Sequence, residues 1–295
     1  MAGTSRPRAR MHAAVVVARL QARETVLTPG LYITLAVGLV LGWFLVNGFA
    51  SSIDSSGFNP LLSPLYDVVA RFLGGVFGAS FVGTLFAEGP FVLALFVSFL
   101  PVFLFLCIGS VFRFGHEKAA GAVELLSYGP ADGTAYFAAS FLKDAVFSAA
   151  ALLAIAGFLA VMAAVDGLAL GPLYAAALPI LFFLTLAVFA WGVVCSIVSA
   201  NASSALALFL AVLLAFLLVL TGQLSIAGES VRTVSSVAAA ILIWVSPLHY
   251  AWMSFRAAQE GSAVALLGGI ALNIALAAAL LGLSHLVIRR RGVRA

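Results

Sequence analysis

The sequence predicts an all-α membrane protein that crosses the bilayer six times. Hydrophobic residues make up 64% of the 295-residue chain and charged residues only 9%, whereas an ordinary soluble domain has about 25% charged residues. Six apolar runs are each near the ~20 residues that a helix needs to cross the hydrocarbon core. They are 31–50, 90–112, 135–165, 173–198, 203–221 and 263–288. We therefore expect one transmembrane domain over residues 1–295.

The N-terminal segment 11–28 is predicted to form an interfacial elbow helix before the first span. One helical stripe is apolar and consists of Met11, Val15, Ala18, Ala22 and Val26. Arg19 and Arg23 lie along its edge, as is typical of a helix in the membrane interface. Pro29 ends this helix, because proline cannot donate the hydrogen bond that a continuous helix needs. Periodicity alone supports a solvated basic tail equally well.

Two further apolar stretches bear on the number of spans. The stretch 68–86 contains Arg71 and several glycines, and 237–245 is too short to cross. Either one alone, as a span, would make seven and place the C-terminus outside. With six spans, most basic residues fall on one side, which the positive-inside rule makes cytoplasmic. Both termini are therefore expected in the cytoplasm.

The predicted outer loops, 51–89 and 222–261, differ in character. The first is long and opens with a turn-rich stretch from Ser51 to Gly57, so it offers room for an extracytoplasmic partner. The second contains the short apolar run followed by Ser246 and Pro247. It is predicted to form two interrupted helical pieces that dip into the outer leaflet.

Several kinds of chemistry find no support in the sequence. Cys107 and Cys195 lie inside apolar runs and have no disulfide or zinc spacing. The chain contains no phosphate-binding loop, so it is not expected to be an enzyme by itself, and no catalytic or metal-binding residue is predicted. The net charge of +4 reflects topology and contact with membrane lipids rather than nucleic acid, because the basic residues flank the spans.

A polar segment, 115–130, separates the second and third spans and carries the strongest functional signal. At 100° per residue, Glu117, Gly121 and Glu124 share one helical face. The apolar residues Ala119, Ala122 and Val123 lie on the other face. We therefore expect a helix that lies along the membrane surface and presents its acidic face to the cytoplasm.

This segment continues into Ser127-Tyr128-Gly129-Pro130, with Lys143 about a dozen residues later. It resembles the cytoplasmic coupling segment of ABC-2-type exporter permeases, whose pattern is E-x-x-x-G-T-x-E-x-L-L-x-x-P. The resemblance covers nearly the whole chain, since an elbow with a Thr-Pro corner, six spans, a coupling segment and a late Ser-Pro corner follow in the family's order. Ala122 replaces the usual threonine and Asp132-Gly133 replaces the usual Ser-Arg. The first outer loop and the chain length are similar to the gliding-motility and nitrous-oxide-maturation branches.

The resemblance implies a permease subunit in a bacterial or archaeal cytoplasmic (inner) membrane. Such a permease dimerises with a second copy or a paralogue and pairs with a separate cytoplasmic ATPase, which holds the ATP and magnesium, so this chain itself needs no cofactor. Six residues are then implied to couple to the ATPase: Glu117, Lys118, Gly121, Glu124, Leu125 and Leu126. The elbow would depend on Arg19, Arg23 and Pro29.

Two other classes of function remain open. One is an ion-coupled secondary carrier or channel, and the other is a membrane-embedded enzyme or assembly scaffold. Lys143 and Asp144, near the start of the third span, are the ionisable residues that a carrier could use. We favour a structural role for them, in which Lys143 snorkels to the interface.

Overall fold

The computed structural model describes residues 6–53, 68, 71, 90–120, 133–226 and 236–291. These residues form helices and short connections, with no strand among them. In chain order the helices are α1 (Arg6–Leu27), α2 (Pro29–Ile53), α3 (Phe91–Ala119), α4 (Gly133–Val165), α5 (Pro172–Val198), α6 (Ala202–Ile226), α7 (Ser236–Val245), α8 (Pro247–Gln259) and α9 (Ala263–Arg291). The predicted all-α fold is confirmed.

Six of these helices, α2 to α6 and α9, are long and apolar enough to cross a membrane. The prediction of six spans is confirmed for the described part of the chain, which belongs to a multi-pass membrane protein. Helix α7 has 10 residues and is too short to cross. Of the stretch 68–86 only Val68 and Arg71 are described, both helical and exposed. The rest of that stretch, and most of the predicted outer loop 51–89, lie outside the described residues.

Helices α3 and α5 form the centre of the bundle. Within the most apolar window of each, 56% of the residues are buried, compared with 22–33% in the other four spans. A helix that is apolar on all sides is stable only when it is surrounded by other helices or by lipid. The largest fully buried side chains accordingly include Phe91, Leu95, Ile155, Ile180 and Phe209.

Glycines allow α2 to approach α3 closely. A Cβ atom added to Gly38 would lie 2.1 Å from the carbonyl oxygen of Ser98, and one added to Gly42 would lie 2.4 Å from the Ser98 hydroxyl. Small residues four apart let two backbones pack tightly in a membrane, where burial of apolar surface gives little driving force.

The break between α1 and α2 lies at the predicted position. Thr28 is the one residue between them, and its hydroxyl donates to the carbonyl of Glu24 at 2.8 Å. Pro29 is the first residue of α2. Helix α1 packs mainly against α4 and turns Gln21 and Thr25 toward the bundle, while Val16, Leu20 and Leu27 are exposed. An apolar outer face of this kind suits contact with lipid.

Helices α7 and α8 meet at a corner formed by Ser246. Proline at the first position of α8 suits a helix start, because its missing N–H would be unpaired there in any case. The indole Nε1 of Trp191 donates to the carbonyl of Val245 at 3.3 Å, and the hydroxyl of Tyr250 donates to the carbonyl of Trp244 at 2.6 Å. Trp191 belongs to the second half of α5, so the corner reaches the interior of the bundle.

Candidate coupling site at the basic end of the bundle

One end of the bundle, which we call the basic end, joins α1, the end of α3, the start of α4 and the ends of α5 and α9. A buried cluster of Phe114, Tyr136, Phe137 and Ile288 holds these helices together. The ring centroids of Phe114 and Phe137 are 4.0 Å apart, and those of Phe114 and Tyr136 are 5.8 Å apart. This packing fixes the two helices that flank the segment 121–132.

Helix α3 continues into the predicted coupling segment. It ends at Ala119, and the N–H of Ala120 still donates to the carbonyl of His116 at 2.9 Å. Residues 115–119 are therefore the last turn of a span rather than the start of a separate surface helix, which differs from our expectation for Glu117. No proline interrupts this part of α3, and Phe114 and Gly115 pack into the bundle, so the helix stays continuous.

The first contact of this last turn joins α3 to α1. The guanidinium of Arg113 lies 3.1 Å from the carboxylate of Glu24, with side chains that are 30% and 53% exposed. An ion pair at this exposure contributes modestly to stability, typically ~1 kcal/mol or less. It nevertheless gives the elbow helix a polar attachment to the end of α3.

The second contact joins α3 to α4. The hydroxyl of Tyr136 donates a hydrogen bond to the Glu117 carboxylate. Tyr136 is buried within the aromatic cluster, and Glu117 is half-buried. The carboxylate therefore points toward the start of α4, at least in part away from solvent.

The third contact joins α3 to α5 and is the most buried. The ammonium of Lys118 donates to the carbonyl of Ile197 at 3.0 Å and to that of Ser199 at 2.8 Å. Lys118 is 8% exposed. The last carbonyls of a helix lack intrahelical partners and carry partial negative charge, so a cation placed there is stabilised by both bonding and the helix dipole.

A backbone contact strengthens the same junction. A Cβ atom added to Gly115 would lie 2.6 Å from the Cα atom of Ala202. Ala202 begins α6, and the preceding Asn201 accepts a hydrogen bond at its side-chain oxygen from the N–H of Ser204 at 2.8 Å. This is a helix N-cap, so the turn between α5 and α6 is well defined where α3 meets it.

The structure describes five of the nine residues that the sequence analysis assigns to coupling or to the elbow. Glu117 and Lys118 make the inward contacts described above. Arg19 and Arg23 lie exposed on α1, and Pro29 is exposed at the start of α2. The remaining four, Gly121, Glu124, Leu125 and Leu126, lie outside the described residues.

Sequence reasoning missed the partners of Arg113, Glu117 and Lys118. Arg113 and Glu117 are four residues apart, a spacing typical of an ion pair within one helix. Each instead contacts a different neighbouring helix, through Glu24 and Tyr136 respectively. The acceptors of Lys118 are backbone carbonyls 79 and 81 residues away, for which no residue type gives a signal.

Lys143 and Asp144 form a buried ion pair inside α4. Their charged atoms are 2.8 Å apart, and the side chains are only 6% and 2% exposed. The expectation that Lys143 snorkels to the interface differs from the structure, because its ammonium turns toward the neighbouring carboxylate. Ionisable groups within membrane spans commonly pair in this way.

The geometry of the basic end gives a junction in which one helix end contacts three neighbouring helices through polar bonds. Comparison of the chain with protein-family models, with curated proteins and with solved structures finds no match. The described helices themselves show an all-α multi-pass membrane protein.

Proposed function

We propose that this protein is the membrane-spanning permease subunit of an ATP-driven exporter of the ABC-2 type. The observation that carries the proposal is the last turn of α3, where Arg113, Glu117 and Lys118 contact three different helices just before the segment 121–130. This segment has the sequence pattern of a coupling segment. The six candidate spans and the break at Thr28 support the same proposal.

In this proposal the basic end faces the cytoplasm. The basic residues of the N-terminal segment, of the end of α3 and of 289–291 all belong to this end, as the positive-inside rule requires. A separate ATPase binds there and supplies ATP and magnesium, because the sequence has no phosphate-binding loop. A second permease copy or a paralogue completes the complex in a bacterial or archaeal cytoplasmic membrane.

In this proposal the coupling residues have two roles. Gly121, Glu124, Leu125 and Leu126 form the part that meets the ATPase. Glu117 and Lys118 instead transmit movement inside the permease, since their charged groups contact α4 and α5. A displacement of the segment then moves the starts and ends of several spans together, which is what an export cycle requires.

Copurification of the ATPase tests the proposal. The wild-type chain, solubilised from native membranes, should retain an ATPase with a phosphate-binding loop. Gly121→Trp should lose it, because the large side chain prevents close approach at a docking surface, while the amount of permease in the membrane stays normal. Asp54→Lys, in the first outer loop, is the control and should retain the ATPase. Full retention by Gly121→Trp would contradict the proposed docking surface.

An ion-coupled secondary carrier is the alternative, favoured by the buried pair of Lys143 and Asp144. Paired ionisable residues inside spans are typical of ion and proton pathways. The two functions differ in their energy source. Transport that continues without ATP and stops when the proton gradient is abolished would support the carrier, and transport that requires the ATPase would support the exporter.

A further inference from the structure

The outer face of α1 carries two arginines, Arg19 and Arg23, which we call the arginine pair. Both are exposed, and as residues i and i+4 they lie on the same side of the helix. Neither guanidinium forms a hydrogen bond or an ion pair with a residue that the structure describes. Like charges one turn apart repel each other, so the pair favours an anion that comes from outside the described chain.

The carboxylates that the structure describes are engaged elsewhere. Glu24 is the only acidic residue of α1, and it lies 3.1 Å from the guanidinium of Arg113. Glu117 accepts a hydrogen bond from α4, and Asp144 pairs with Lys143. The other two described carboxylates follow the ends of α4 and α8, at the opposite end of the bundle. The arginine pair therefore has no counter-anion in the described part of the chain.

The arginine pair lies at the boundary of the membrane-spanning part. Val17, just before the pair, packs against the cluster that contains Tyr136 and Ile288. These two residues are the first and the last of two candidate spans, and the candidate span of α2 begins at Pro29, just after the pair. The pair thus lies between two points of the chain that are both at the level of span ends. This is the depth of the lipid headgroups.

The side chains around the arginine pair are apolar and face outward. Val16, Leu20 and Leu27 are 54%, 61% and 71% exposed. A helix of this composition buries its apolar side chains at the boundary of the acyl chains and keeps its cations near the phosphates. An acidic protein surface would instead place charged groups against these apolar side chains, which is unfavourable. The face therefore suits a lipid.

We propose that the arginine pair binds the headgroup of an anionic phospholipid in preference to that of a zwitterionic one. Both kinds of lipid offer a phosphate, but a zwitterionic headgroup also brings an ammonium group, which the two guanidinium groups repel. A net negative charge strengthens the attraction of each arginine near the membrane surface. The site goes beyond the proposed export function, because it depends on α1 alone and is the same in an exporter and in a carrier.

The lipid and the bundle hold opposite sides of α1. Gln21 and Thr25 face the bundle and are 5% and 7% exposed. Glu24 attaches the same helix to Arg113 on α3. Because none of these contacts includes the arginine pair, replacing the pair should remove the lipid site and leave the packing of α1 intact.

The measurement determines which lipid lies next to Leu20, between the two arginines. Leu20→Cys is labelled with a fluorophore in the purified full-length chain, which is then reconstituted into vesicles. Cys107 and Cys195 are 1% and 2% exposed, so the label attaches at position 20. Phosphatidylglycerol and phosphatidylcholine, each carrying the same nitroxide on one acyl chain, quench the fluorophore in proportion to their binding. We expect phosphatidylglycerol to bind roughly tenfold more tightly, and equal quenching would overturn the proposal.

Two variants assign the preference to the arginine pair. Arg19→Gln combined with Arg23→Gln should lower the preference to about twofold or less, because both charges are lost. Arg256→Gln is the control, since this exposed arginine pairs with Glu260 at the other end of the bundle, and it should leave the preference unchanged. A preference that survives the double replacement would belong to the basic end as a whole and would overturn the assignment. A fluorophore that neither lipid quenches would show that a protein covers this face, and this result would also overturn the proposal.

Discussion

Replacing Lys118 by methionine tests the junction between α3 and α5. Methionine keeps most of the length of the side chain but removes the ammonium, and with it the bonds of 3.0 Å to Ile197 and 2.8 Å to Ser199. A hydrogen bond to a charged group contributes about 1.5–3 kcal/mol. Lys118 loses hydration on burial, so we expect the two bonds together to contribute only about 2 kcal/mol to the free energy of unfolding. This corresponds to a change of about 30-fold in the folding equilibrium.

The measurement is thermal or denaturant unfolding of the full chain in detergent, with Arg256→Met as the control. Arg256 pairs with Glu260 at 2.8 Å, but both side chains are more than half exposed. A surface pair of this kind contributes about 1 kcal/mol or less. The Lys118 variant should therefore be clearly less stable than the Arg256 variant. Equal stability of the two would refute the argument that Lys118 holds the junction together.

A functional readout separates transmission from docking. The ammonium of Lys118 contacts α5, so Lys118→Met should still copurify with the ATPase. Stimulation of ATP hydrolysis by the permease should fall, because movement of the segment 121–130 no longer reaches α5. Loss of the ATPase itself would show that Lys118 belongs to the docking surface instead.

Two further substitutions test the packing that positions the site. Gly38→Ala should lower the free energy of unfolding by about 1–3 kcal/mol, measured by thermal unfolding, because the new Cβ atom would lie 2.1 Å from the Ser98 carbonyl oxygen. The control, Gly157→Ala, has no neighbour within 4 Å and should be neutral or stabilising by up to ~1 kcal/mol, so equal effects of the two variants would contradict close packing of α2 on α3. Tyr136→Phe should lower the free energy of unfolding by about 1–3 kcal/mol, because Glu117 loses its hydroxyl donor. Tyr32→Phe, at an exposed tyrosine, is the control. An unchanged free energy of unfolding in Tyr136→Phe would show that the bond contributes little.

Much of the fold follows from the sequence because a lipid bilayer allows few backbone structures to cross it. A span must satisfy its own backbone hydrogen bonds, so long apolar runs become helices. The six predicted runs all lie within helices except for Pro90, which directly precedes α3. The position of Pro29 is equally well determined, since proline favours the first position of a helix. The prediction placed the start of α1 at Met11, whereas the helix begins at Arg6, because a polar helix end has no comparable signal.

The geometry of the candidate site is less accessible to sequence reasoning. The periodicity of the segment 115–130 shows which residues share a face, but not where the preceding span ends. Helix α3 extends through Ala119, so Glu117 contacts Tyr136. The acceptors of Lys118 are main-chain carbonyls, and any residue could supply them.

The most direct measurement is site-specific photo-crosslinking in native membranes. A photoreactive amino acid at position 124 replaces Glu124, which the proposal places against the ATPase. The same amino acid at position 54 replaces Asp54, which the sequence predicts to lie in the first outer loop. We predict an adduct with an ATPase carrying a phosphate-binding loop from position 124 and not from position 54, identified by mass spectrometry. An adduct with that ATPase from position 54, or none from position 124 at normal membrane levels of the permease, would contradict the proposed function.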